Sequence, residues 1–129
     1  MKTLLTFIFL IASVSSFGQT QRDLNDDASH QYKSSDSTLN SVYKQIQKIY
    51  SADTAFIKNL KTAQQLWIKF RDAELKMKFP DSYSYGSVQP MCVSLYLTDL
   101  TNKRIKTLRT WIDGIEEGDV CSGSVRRKK

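Results

Sequence analysis

Apolar residues return every third or fourth position along most of this chain, and that spacing limits what it can fold into more than any other feature. From Leu24 they fall at Ala28, Tyr32, Leu39, Val42, Tyr43, Ile46, Ile49 and Tyr50. A second run carries Phe56, Leu60, Ala63, Trp67, Phe70, Leu75 and Met77, and a third Val93, Leu97, Leu100, Leu108, Trp111 and Ile115. Side chains three and four apart share one face of an α-helix, whereas a half-buried strand alternates every second residue. No segment alternates strongly enough for a strand. The chain is therefore predicted to be all-α, a small bundle or hairpin of three to four helices.

The helix ends are legible in the same way. Asp23 or Asp26 suits the first N-cap and Asp53 the second, because a short side-chain oxygen accepts an otherwise unpaired N–H of the first turn. The polar stretch from Lys33 to Ser37 predicts a kink or break in the first helix. The second helix should stop before Pro80, Pro90 suits a first turn, and Gly114 and Gly118 are expected to end the third.

Composition allows a core and narrows the chemistry. A chain of 129 residues has room for one domain, and 40% apolar residues with five Gly and two Pro exclude a disordered chain. Two Cys and one His exclude a four-ligand zinc site and a disulfide-dense scaffold. Lys2 followed by the apolar run Leu4 to Val14, with small Ser16 and Gly18 three and one places before a cleavage edge, describes a secretory leader over residues 1–18. The run is too short to span a bilayer comfortably; a retained anchor is the alternative. The mature domain is expected to cover residues 19–129, with its core at about 24–117, and to be exported, periplasmic or secreted, and soluble.

The net charge of +6 is unevenly placed. Of the 19 basic residues, Lys2 belongs to the leader and four close the chain as Arg126-Arg127-Lys128-Lys129; the remaining 14 nearly match the 13 acidic residues. The basic tail over residues 122–129 reads as a frayed, solvated end, and nucleic-acid binding has little support.

Two stretches and two shorter elements resemble a known family. Residues 60–74, with Ala63-Gln64-Gln65-Leu66-Trp67, Phe70-Arg71-Asp72-Ala73-Glu74, are similar to the signature of the lysozyme-inhibitor LprI-like N-terminal domain family. Leu39-Asn40 with Tyr43, then Gly86-Ser87, then Leu100-Thr101 with Arg104, match its other elements in the right order, covering roughly residues 24–112. The resemblance implies an exported, all-helical envelope protein, with lysozyme inhibition as the family's named activity. Family members often carry a Cys just after the Asp-Ala-Glu run and another near the Leu-Thr element; here Leu75 and Tyr96 stand there, so that bridge is absent.

Cys92 and Cys121 pull two ways. Export favours a disulfide, yet a straight helix over 92–113 would be about 32 Å long and the following residues would have to stretch almost fully to return. Bridge and separate thiols both stay open. Gln64, Trp67, Arg71 and Glu74 share one helix face. Either Arg71 and Glu74 pair with each other, or with Arg104, Thr101 and Asn40 across the bundle, fixing its register, or the cluster floors a recognition groove.

Catalysis finds no constellation. Asp72 and Glu74 point to different sides of a helix, a glycosidase needs two carboxyls across a cleft, and His30 has no evident nucleophile partner. The acidic group Asp113, Glu116, Glu117 and Asp119 lacks calcium-loop spacing, and no Gly-rich phosphate loop, metal site or cofactor motif is present. The loop Phe79 to Gln89, with Ser82, Tyr83, Ser84, Tyr85, Gly86 and Ser87, has the composition of a recognition loop; an ordinary helix connection is the alternative. Animal-type lysozymes are strongly basic, and only the acidic patch after Trp111 is expected to attract such a partner. The sequence therefore predicts a non-enzymatic binding protein directed at lysozyme, with Tyr83, Tyr85, Ser87, Gln64, Trp67 and Arg71 as candidate contacts. The alternative is a structural or adaptor protein that binds peptidoglycan or another envelope component.

Overall fold

The computed structural model describes residues 19–81 and 84–128. Among them three long helices dominate: α1 Gln21–Ile49, α2 Thr54–Lys78 and α3 Gln89–Asp113, with a 3-10 turn, Gly86–Val88, ahead of α3. Among the described residues no strand occurs, only an isolated bridge between Ile115 and Arg127. The expected all-α architecture is what the chain adopts. The expected leader over residues 1–18 lies outside the described residues, as do Ser82, Tyr83 and Lys129. No described helix is long and apolar enough to cross a membrane.

The first helix begins earlier than its aspartates suggested. Thr20 is the N-cap: its hydroxyl accepts the Asp23 N–H at 3.2 Å, and Asp23 in turn accepts the Thr20 N–H at 3.0 Å. Asp23 is thus the third residue of a capping box, and the bonds from Thr20, backbone first, hold its carboxyl below the usual carboxylate range. The expected break over Lys33 to Ser37 is absent, since α1 runs unbroken to Ile49. Ala28 and Leu39, three turns apart, are both buried and lock the helix on either side of the polar stretch. Within it Thr38 donates back to the Ser34 carbonyl, a bond compatible with helix, and Asp36 faces Arg71 of α2. Asp53 caps α2 as expected, accepting the Phe56 N–H at 2.9 Å, and α2 stops at Lys78, ahead of Pro80. Pro90 lies in the first turn of α3, and Gly114, at φ +79°, ends it; Gly118 lies beyond the helix.

Leu39, Val42 and Ile46 of α1, Leu60 of α2, and Ile105 and Leu108 of α3 form the core, ringed by Tyr43, Tyr50, Phe56, Trp67, Trp111 and Ile112. Asn25 donates to the Ser87 carbonyl at 3.0 Å near one end and the Tyr50 hydroxyl donates to the Trp111 carbonyl at 3.1 Å near the other. α1 and α3 therefore run parallel and pack closely, while α2 returns antiparallel and leans on α3. The third apolar stripe holds in part. Leu108 is buried and Trp111 packs on the core as expected, but Thr101 and Ile105 are the other buried positions in this half of α3, and Leu97 and Leu100 only flank them. On α2, Leu60 and Gln64 face inward with Trp67, whereas Phe70 and Met77 point outward, 54% and 71% exposed.

The basic C-terminus is not frayed. The Ile115 N–H donates to the Arg126 carbonyl and the Lys128 N–H to the Ile115 carbonyl, both at 2.9 Å. The Arg126 N–H donates to the Tyr50 hydroxyl at 3.0 Å, and its guanidinium donates to the Ile112 carbonyl. Trp111 Nε1 donates to Ser124 Oγ at 3.0 Å, and Lys128 pairs with Glu116. Arg126 reaches a carbonyl that the end of α3 leaves without a helical partner, at the negative pole of that helix. A Cβ at Gly114 would lie 3.0 Å from the Arg126 carbonyl oxygen, so the glycine makes room for the returning chain.

Candidate functional site

The signature residues converge where α2 crosses α1 and α3. Trp67 has two guanidinium groups against its indole, Arg71 at 5.4 Å and Arg104 at 5.9 Å from the ring centre. Arg104 Nε donates to Gln64 Oε1 at 3.0 Å, and partial burial pushes its pKa down. The Arg71 side chain, 15% exposed, bonds its neighbour Asp72 at 2.8 Å and lies 3.8 Å from Asp36 of α1. Tyr96 donates to Glu74 Oε2 at 3.1 Å, while burial, with that bond second, raises its pKa.

This arrangement differs from the pairings anticipated. Arg71 bonds neither Glu74 nor Arg104, but Asp72 and Asp36. Asn40 is exposed and bonds Asp36 one turn away on its own helix, taking no part in a bundle-crossing network. Thr101 is fully buried with its hydroxyl unpaired among the described residues. Tyr43 packs against the core. What remains is a chain of polar and aromatic contacts, Gln64–Arg104–Trp67–Arg71–Asp36, that joins α2 to both other helices through long side chains. Gln64 is buried and Trp67 half-buried, so these two present little area to a partner.

The other candidate cluster lies at the end where α2 finishes and α3 begins. Gln89, only 5% exposed, holds the connecting loop: its Nε2 donates to the Asp81 carbonyl at 2.7 Å and its Oε1 accepts the Tyr85 N–H at 3.2 Å. The ring of Tyr85 lies edge-on to Phe79 at 5.7 Å, and Phe79 edge-on to Tyr96 at 6.3 Å. Lys78 caps that aromatic group, 4.1 Å from the Tyr96 ring centre. Gly86, at φ +73°, turns the chain into the 3-10 turn, and the Ser87 carbonyl is tied to Asn25. Tyr85 remains 48% exposed on this braced loop. Gln89 and Asn25 were not singled out by sequence; a glutamine beside Pro90 at a helix start was the available signal. Tyr83 falls outside the described residues.

Charge at the two ends is the reverse of the expectation. The acidic group after Trp111 has the basic tail folded back against it, with Lys128 on Glu116 and Arg126 on the carbonyls of the helix end. Around the loop, residues 19–30 and 74–98 carry Asp23, Asp26, Asp27, Glu74 and Asp81 against Arg22, Lys76 and Lys78. Asp23, Asp26 and Asp27 stand within one turn of Asn25, which touches the loop. The acidic end is the loop end.

Cys92 is half-buried in the first turn of α3 and Cys121 exposed beyond its far end, and both are free thiols. Among the described residues no cluster of His, Cys, Asp and Glu is grouped to hold a metal ion.

An uncharacterized protein of Rhizobium meliloti (strain 1021) is 32% identical over 108 residues, covering 75% of this chain and 77% of that protein. No solved structure matches. The family model described as lysozyme inhibitor LprI matches residues 13–108, which take in α1, α2, the braced loop and most of α3. A helical chain with the signature residues in contact and matched over that length belongs to the lysozyme inhibitor LprI family.

Proposed function

We propose that this chain is an exported, non-enzymatic binding protein that inhibits lysozyme through its acidic loop end. The observation that carries the reading is the loop Phe79 to Gln89, held at Asp81 and Tyr85 by the buried Gln89 and presenting Tyr85 near the acidic start of α1. A rigid tyrosine supplies large contact area at low entropic cost, and Ser84 and Ser87 flank it in the chain, both exposed. Tyr83 and Ser87 are proposed as further contacts. Carboxylates around the loop favour approach to a basic partner, and animal-type lysozymes are strongly basic.

The signature cluster plays a different part in this reading. Gln64, Trp67 and Arg71 hold α2 in register, and their loss reaches the loop through the placement of α2. The test is lysis of bacterial cells by lysozyme with and without the purified mature protein. Protection that disappears in Tyr85→Ala, with helicity unchanged, supports the reading. Full protection by Tyr85→Ala together with Tyr83→Ala removes the loop, and no protection at excess protein favours an adaptor that binds peptidoglycan or another envelope component.

A further inference from the structure

Between α2 and α3, at the end away from the loop, runs an apolar groove of about 420 Å³. Phe56, Leu60, Ala63, Leu108 and Trp111 line it, with Asp53 and Ser124 at the tail end. Arg104 enters the lining from α3 at the level of Gln64. Gln64 stands eleven positions after the N-cap Asp53, so the groove extends for about 16 Å at 1.5 Å per residue.

Arg104 is the feature that assigns an occupant. Its guanidinium is half-buried, stacked on Trp67, and uses Nε on Gln64; among the described residues no carboxylate pairs with it. A guanidinium in an apolar setting gains most from a carboxylate, which it meets with two parallel N–H donors. Apart from Asn59, and Asp53 and Ser124 at the tail end, the groove offers methyl, methylene and aromatic surface, which is matched by an unbranched apolar body. At its far end Asp53 already accepts the Phe56 N–H and repels a second negative charge.

We infer that this groove binds a monocarboxylate with an apolar chain, of the fatty-acid class, with its carboxylate on Arg104 and its chain running between α2 and α3 toward Trp111. The site is separate from the loop and stands whether or not the loop meets lysozyme. Each methylene that enters the groove tightens binding about fourfold. The increments stop once the chain outgrows the groove, and a carboxylate at both ends is disfavoured by Asp53.

Fluorescence of the two tryptophans, Trp67 against Arg104 and Trp111 in the lining, reads the site directly. Octanoate, decanoate and dodecanoate are titrated into the mature protein below their micelle concentrations, with dodecanol and dodecanedioate as controls. Saturable binding that tightens at least tenfold from octanoate to decanoate, and is at least tenfold weaker for dodecanol and dodecanedioate, is expected. Arg104→Gln should erase the preference for dodecanoate over dodecanol. Ala63→Phe, placed on an exposed position of α2, fills the groove and should abolish binding of all of them while helicity and unfolding midpoint hold. Equal affinity for dodecanol, no dependence on chain length, or undiminished binding in Ala63→Phe would each overturn the inference.

Discussion

Replacing Gln89 by Ala removes the one side chain that holds the loop at two points. It takes away a 2.7 Å bond to the Asp81 carbonyl and a 3.2 Å bond from the Tyr85 N–H. Each bond contributes about 1 kcal/mol net, and both freed backbone groups lie at the surface where water replaces the partner. The expected loss is about 2 kcal/mol, on the order of 10 °C in melting temperature for a domain of this size. Gln89→Glu should cost more, because a buried carboxylate cannot donate to Asp81 and carries a charge inward. Urea unfolding followed by circular dichroism measures the stability, and hydrogen exchange at the Tyr85 amide measures the loop. Faster Tyr85 exchange with native helicity, together with weaker lysozyme inhibition, is the predicted result. Unchanged Tyr85 exchange would refute the bracing role. Full inhibition by a variant whose loop is released would refute the claim that pre-ordering of the loop serves binding.

Three further outcomes follow from particular contacts. Thr101→Val keeps the shape of a fully buried side chain while deleting an unpaired hydroxyl, and should raise stability by about 1 kcal/mol in urea unfolding; a loss instead would show that the hydroxyl has a partner. Arg126→Ala removes the guanidinium from the Ile112 carbonyl and should lower stability by about 1–2 kcal/mol, with faster exchange at the Ile115 and Lys128 amides. Asp23 has its pKa depressed in the folded protein, so its contribution is present above the unfolded value of about 4 and is lost as pH falls through the lower folded value. Acid unfolding of Asp23→Asn should therefore show a weaker pH dependence below about pH 4 than the parent, and parallel curves would sink the argument.

The family's polar signature shows how far motif reading goes. Gln64, Trp67, Arg71, Glu74 and Arg104 were identifiable as one group, and the fold brings all but Glu74 into one chain of contacts, Glu74 bonding Tyr96 instead. Their pairings were not identifiable, because which acid meets Arg71 depends on the rotation of α1, and that rotation places Asp36 rather than Asn40 toward α2. The polar stretch from Lys33 to Ser37 failed as a break for a related reason. Local propensity there opposes helix only weakly, and burial of Ala28 and Leu39 on either side outweighs it.

Three- and four-residue spacing, Asp53, Pro80, Pro90 and Gly114 determined by themselves that this chain is all-α and nearly where two of its helices begin and end, because periodicity and caps act within a few residues of chain. Tertiary structure alone decided that Ile105 lies inside and Phe70 outside, that the basic tail folds onto α3, and that the acidic end is the loop end. Those outcomes depend on which helix faces meet, and that choice balances burial over the whole chain, which no local window contains.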